Sequence, residues 1–233
     1  MNNRGFTLIE MILTLIVGSI MVLGIAGFVE LGTKGYADSI ERQRIQIQAQ
    51  FMLEKLSREF RHAVPNSFKE ESSGCLTFMP IRYSGFYVVV GEDIEFLIGN
   101  DENLNTIPSG LKMVVNSTRK EDLDNSNLVV GDKTKDSGRF VLEDQASDLN
   151  SNSVSQRHYI FDPNGAVEYC LTSFGTITRD EVQVADKVVA GESQFYYKEA
   201  TLQRGGIVHL KLTFRQNGET SVYQQDVQVM NVP

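Results

Sequence analysis

The sequence is short of positive charge. Twenty-two Lys and Arg face 30 Asp and Glu, for a formal net charge of −8 and a pI near 5.0. A grip on nucleic acid through phosphate neutralisation needs a basic face, so no nucleic-acid partner is expected. Catalytic signatures are missing as well. The sequence contains no Gly-rich phosphate loop, no His-Glu-x-x-His and no Cys-x-x-Cys, and no serine sits in a nucleophile elbow. The three histidines, His62, His158 and His209, are far apart in sequence and read as structural or surface residues. Asp93, Asp101, Glu102, Asp122 and Asp124 offer oxygens, but their spacing matches no EF-hand loop, and they read as solvated loop charge. The expectation is therefore not an enzyme, with no cofactor and no metal. Cysteine is limited to Cys75 and Cys170. They form one disulfide if the domain lies in an oxidising compartment, or two buried thiols if it does not. Proline is absent from the first 64 residues, so nothing of that kind breaks a helix before Pro65.

What the N-terminus does have is a long apolar run. From Phe6 to Val29, about 24 residues at ~1.5 Å rise each are enough to cross a hydrocarbon core of ~30 Å as a helix. One carboxylate, Glu10, interrupts it near its start. A charged side chain inside such a span costs roughly 2.5–3.5 kcal/mol on insertion scales, which makes Glu10 a functional candidate. Arg4 and the short leader place the N-terminus in the cytoplasm and the bulk of the chain on the other side. Gly18, Ser19, Gly24 and Gly27 let neighbouring helices approach closely, or are ordinary membrane-helix composition. Two plainer readings compete: a secretory signal cut after Gly24-Ile25-Ala26, and an uncleaved signal anchor.

The string Arg4-Gly5-Phe6-Thr7-Leu8-Ile9-Glu10 resembles the class III signal of type IV prepilins and type II secretion pseudopilins. The resemblance covers the first thirty residues. It implies that a prepilin peptidase cuts after Gly5 and methylates the new amino terminus of Phe6. It makes Glu10 the fifth residue of the mature chain and the assembly residue. Packing beside another subunit lets a carboxylate at Glu10 meet a free terminal amine. Such a pair sets register more than it adds stability.

Beyond the run, Tyr36, Ile40, Ile47, Phe51, Leu56 and Phe60 recur at helical spacing, with charged and amide residues between them. The spacing predicts that the helix continues to about Val64, softened near Gly32 and Gly35 and stopped by Pro65. After Pro65 the pattern turns to strands: Cys75 to Ile81, Phe86 to Val90, and, less sharply, Asp93 to Phe96 and Leu111 to Val115. Residues 116–156 form a polar tract of long exposed loops, interrupted by Leu128-Val129-Val130 and Phe140-Val141-Leu142, and containing the sequon-like Asn116-Ser117-Thr118. A hairpin is predicted from His158–Phe161 and Ala166–Leu171 around Asp162-Pro163-Asn164-Gly165, with Gly175 to Arg179 following as an edge strand. Ser193 to Lys198 makes another strand. Val208, Leu210, Leu212 and Phe214 then alternate with polar residues, and across Asn217-Gly218 comes Thr220 to Val229.

The fold class expected is α+β: a long N-terminal helix, one half for the membrane and one half amphipathic, packed on an antiparallel β-sheet globular domain, which is the pilin fold. The chain divides into a leader (1–5), a transmembrane and assembly helix (6–29), its amphipathic continuation (30–64), and a periplasmic β-rich domain (65–233). The segments Ala63 to Ser67, Cys75 to Ile81, Arg157 to Phe161 and Val167 to Cys170 are similar to minor pilins of the mannose-sensitive haemagglutinin (MSHA) pilus, nearest the MshO type. The closing strands resemble the PilW class and J-type pseudopilins. The resemblance implies a minor pilin that initiates or caps a type IV pilus. Its implied partners are other minor and major pilins, the prepilin peptidase, the pilus assembly platform and the membrane. It implies a single-pass inner-membrane location with a periplasmic domain, and then the pilus at the cell surface. Alternatives are a J-type pseudopilin of type II secretion and a tip-located adhesin or ligand-binding module that uses Phe86-Tyr87 or the polar tract.

Overall fold

The computed structural model describes residues 7–71, 74–119, 121–124, 128–200 and 205–229. The chain divides into two compact units, residues 1–47 and 48–233. Helix α1 (Leu8–Arg61) is continuous and contributes to both. It runs unbroken through Gly32 and Gly35, and in the first unit it is the whole of the described structure.

The helix ends at Arg61, three residues before the expected stop, for a reason that lies in the second unit. The Val64 amide donates to the Met79 carbonyl (2.8 Å) and the Ile81 amide donates to the His62 carbonyl (2.9 Å), so residues 62–64 leave the helix to pair with a strand exit. Ala63 forms a bridge with Pro80. Arg58 and Arg61 occupy the last turn, where a cation complements the negative end of the helix.

The second unit then lays down β1 (Lys69–Glu71), β2 (Cys75–Phe78), β3 (Tyr83–Val90), β4 (Asp93–Ile98), β5 (Lys112–Val115), the short α2 (Glu121–Asp124), β6 (Phe140–Leu142), β7 (Arg157–Phe161) and β8 (Val167–Leu171). It closes with β9 (Ile177–Arg179), β10 (Val182–Ala185), β11 (Gln194–Lys198), β12 (Ile207–Gln216) and β13 (Glu219–Gln228). All pairings are antiparallel, as expected. They form three sheets, in the orders β1-β2-β8-β9-β10, β5-β7-β3-β4-β6 and β11-β12-β13.

The hairpin predicted around Asp162–Gly165 does not exist. Its turn is there: the Gly165 amide reaches the Asp162 carbonyl (3.0 Å) and the Asn164 amide reaches the Asp162 carboxylate (2.9 Å). Its two strands, however, belong to different sheets. Both edges of β7 are taken by β5 and β3, and both edges of β8 by β2 and β9, so neither has an edge left for the other. Strand β7 is also buried on both faces. Ile160 joins a core with Tyr87, Ile94, Phe96, Met113 and Phe140, whereas Tyr159 and Phe161 join a second core with Val64, Val114 and Leu123. Nor is the strand after Gly175 an edge, because β10 pairs outside it. The turn into β10 is Asp180-Glu181, both at positive φ (48° and 67°) with no glycine to announce it.

The outer end of α1 belongs to the second unit's core. Ala49, Met52, Leu56 and Phe60 are fully buried at helical spacing, whereas Tyr36, Ile40, Ile47 and Phe51 of the expected stripe are exposed. Phe60 packs edge-on against Phe68, Phe78 and Tyr169 at ring separations of 5.5, 5.3 and 6.0 Å. The polar tract is less exposed than its composition suggests, since Leu128, Val130, Phe140 and Leu142 are core residues.

Candidate functional site

Glu10 lies in the first turn of α1 and is exposed. Thr7 precedes the helix; its hydroxyl oxygen accepts from the Glu10 amide (3.4 Å) and its carbonyl accepts from the Met11 amide (3.2 Å). Thr7-Leu8-Ile9-Glu10 therefore has the Thr-x-x-Glu spacing of a capping box, a signal present in the sequence that a hydropathy argument passes over. A carboxylate at this position is also favoured by the positive end of the helix dipole.

Between Leu8 and Val29 the large apolar side chains are bare, from 46% exposed at Val17 to 80% at Leu8. The helix is long and apolar enough to cross a membrane. Its hydroxyls are turned back on its own backbone: Thr14 Oγ1 donates to the Met11 carbonyl (2.9 Å) and Ser19 Oγ to the Ile16 carbonyl (2.8 Å). This arrangement satisfies them without water, as a lipid environment requires. Glu10 is the only ionisable side chain in the stretch. A side chain built at Gly18, Gly24 or Gly27 would meet no atom within 4 Å, so these glycines are flat, open facets rather than packing requirements of the chain itself. Gly5 and Phe6, the expected cleavage and methylation pair, lie outside the described residues.

In the second unit a disulfide joins Cys75 to Cys170, which face each other across β2 and β8. Among the described residues, the one grouping of three potential metal-binding side chains is Cys75, Glu168 and Cys170, and the disulfide occupies both sulfurs. Three of the acidic residues named above serve local structure. Asp122 accepts from the Thr118 and Arg119 amides (2.8 and 2.9 Å), Asp93 from the Asp144 amide (2.9 Å), and Asp101 from the Asn103 amide (3.2 Å). Asn116 Nδ2 donates to Ser151 Oγ at 3.0 Å.

The histidines separate into three situations. His62 Nδ1 meets the Arg58 carbonyl at 2.8 Å. His209 Nδ1 lies 2.6 Å from Asp226 and stacks on Tyr196. His158 is fully buried against Phe96, neither ring nitrogen has a hydrogen-bond partner, and burial pushes its pKa down to about 3. A charged cluster ties the outer end of α1 to β9: Glu59 meets Lys55 at 2.9 Å and Arg179 at 3.1 Å. Burial raises the Glu59 pKa, but the bonds from Lys55 and Arg179 outweigh it and hold the carboxyl below its ordinary value.

Two of the clefts on this unit are lined by described residues. One of about 310 Å³ runs over β11, β12 and β13, lined by Gln194, Tyr196, His209, Lys211, Gln224 and Asp226. The other, about 260 Å³, is lined by Asn66, Phe68, Thr118, Arg119, Tyr197 and Glu199. Phe86, named above as a contact candidate, is exposed on β3, whereas Tyr87 faces the core and its hydroxyl accepts from the Ser153 amide (2.9 Å).

The family model of the prokaryotic N-terminal methylation motif matches residues 1–26. No curated protein and no solved structure matches the chain. Motif and helix together support a type IV pilin-like protein.

Proposed function

We propose that this chain is a minor pilin, an assembly subunit of a type IV pilus of MSHA type, working at initiation or at the tip. The observation that carries the reading is the coincidence of the methylation motif over residues 1–26 with a helix whose apolar half is bare from Leu8 to Val29. In this reading a prepilin peptidase cuts after Gly5 and Phe6 becomes the methylated terminus. The helix then leaves the bilayer for a bundle of other pilins, where Glu10 meets a terminal amine and fixes the axial register. The second unit stays on the periplasmic side and then on the cell surface. The work is structural.

Intact mass and N-terminal analysis of protein extracted from membranes test the processing. The expected terminus is N-methyl-phenylalanine at position 6; material beginning at Met1, or after Ala26, removes the amine on which the scheme depends. Glu10→Ala is expected to be processed and membrane-bound as usual but to enter fibres at least tenfold less. Fibres carrying the variant at wild-type level would overturn the role given to Glu10.

A further inference from the structure

The three sheets differ in how they end. The outermost strands β1, β5, β6 and β10 are three or four residues long. β11 has five residues, and part of its outer edge is occupied because the Glu70 carboxylate accepts the Tyr197 amide. β13 is different: ten residues, paired with β12 through ten consecutive positions without a bulge. Among the described residues no strand pairs with its outer side. Its guards are few: Glu219–Gln228 contains neither lysine nor proline, and its charges are Glu219 beside the turn and Asp226.

The hairpin geometry says which backbone groups are free. The turn is Asn217-Gly218, both at positive φ (47° and 84°), and Gln216 and Glu219 flank it as the first register pair. A two-residue turn makes that flanking pair a hydrogen-bonded one, and bonded and non-bonded pairs then alternate. The backbone groups of Ser221, Tyr223, Gln225 and Val227 therefore point at β12. Those of Thr220, Val222, Gln224, Asp226 and Gln228 point outward. The side chains of these same five residues are partly or fully exposed on the outer face, beside the cleft lined by His209, Lys211 and Gln224.

We propose that this edge is the seam of a two-fold dimer, in which a second copy of the chain lays its own β13 antiparallel on the first, centred on Gln224. In that register the strand opposes no like charges. Gln224 meets Gln224 of the second copy, amide to amide. Val222 meets Asp226 and Thr220 meets Gln228, so each outward residue has a neutral or polar partner and no two carboxylates oppose. On the other face Tyr223 meets Gln225 and Ser221 meets Val227. The arrangement provides about ten backbone hydrogen bonds, two for each narrow pair. A parallel, in-register pairing would instead set Asp226 against Asp226 and Glu219 against Glu219. The formal charge of −8 on each chain opposes association at long range, so dimerisation strengthens as salt screens it.

The test uses the full chain in detergent. Gln224→Cys with a short bismaleimide is expected to give a covalent species of twice the chain mass, while Gln194→Cys, on β11 away from the seam, gives none. Gln224→Pro removes an outward amide that β12 does not use, and is expected to weaken the dimer at least tenfold while leaving the unfolding temperature of the second unit nearly unchanged. Val222→Asp, placed opposite Asp226 of the second copy, is expected to weaken it several-fold, and Val222→Lys to strengthen it. A monomer at all accessible concentrations overturns the proposal. So does a dimer indifferent to Gln224→Pro, or one on which the two Val222 variants act alike. Cross-linking of position 224 to a different protein overturns it in favour of a foreign strand.

Discussion

His158 is a titratable group enclosed where nothing answers its charge. Its pKa falls from 6.5 to about 3 through burial alone, with Phe96 against the ring and no partner for either nitrogen. The folded state binds the neutral ring. Stability from this source is complete above pH 6.5 and is lost as pH falls from 6.5 toward 3, because the unfolded chain takes up a proton that the folded one refuses. At pH 4 the loss is roughly 3 kcal/mol. His158→Leu is expected to flatten the fall in unfolding temperature of the second unit between pH 7 and pH 4; an unchanged slope would place the acid sensitivity elsewhere. Sequence alone gave no sign of this, because an isolated histidine beside Tyr159-Ile160-Phe161 looks like any polar member of an alternating strand. Only the pairing of β7 on both edges and the cores on both of its faces make the position airless. Glu10 is the opposite case. Its spacing from Thr7 and its place near the start of an apolar run are both legible in the string, and the structure adds only the cap.

Among the elements, α1 matters to the second unit through its last turns. Phe60 is fully buried and meets Phe68, Phe78 and Tyr169 edge-on, so Phe60→Ala is expected to destabilise that unit by about 3–5 kcal/mol in thermal or denaturant unfolding. A loss below about 1 kcal/mol would mean that the helix end is not part of the cooperative core. The Glu59–Arg179 pair is partly buried, with its exposed sides at 22% and 33%. Its removal by Arg179→Ala is expected to cost less, because Lys55 remains to hold Glu59. Elements whose signals are local were readable. The helix follows from its apolar run and spacing, although only Leu56 and Phe60 of the expected stripe are buried; β12 follows from strict alternation, and β13 from the Asn-Gly turn after it. Elements set by competition for edges were not. β7 and β8 carry a sound turn between them yet go to separate sheets, and β10 follows a turn of Asp180 and Glu181 that composition does not advertise. α1 stops at Arg61 because strand exits capture residues 62–64, a contact that Pro65 does not foretell.

On the scale of the whole molecule, the methylation motif over residues 1–26 and the bare apolar helix support a type IV pilin-like protein. The disulfide between Cys75 and Cys170 joins residues 95 apart in sequence. In the chain-entropy account, closing such a loop restricts the unfolded state by ~4–5 kcal/mol, so replacing both cysteines by serine is expected to lower stability by up to that amount, measured against the wild type under identical oxidising conditions. Reduction of the wild type should reproduce the loss; if neither treatment moves the unfolding midpoint, the loop contributes nothing in solution. The same bond has a mechanical consequence. A chain drawn out by its two ends can release its helix and its closing strands, but the 95-residue loop stays out of the line of force, withholding ~330 Å of extension at ~3.5 Å per residue. Under tension the molecule is a tether with a built-in length limit, and single-molecule stretching should show its final contour lengthen by that amount only after reductant is added.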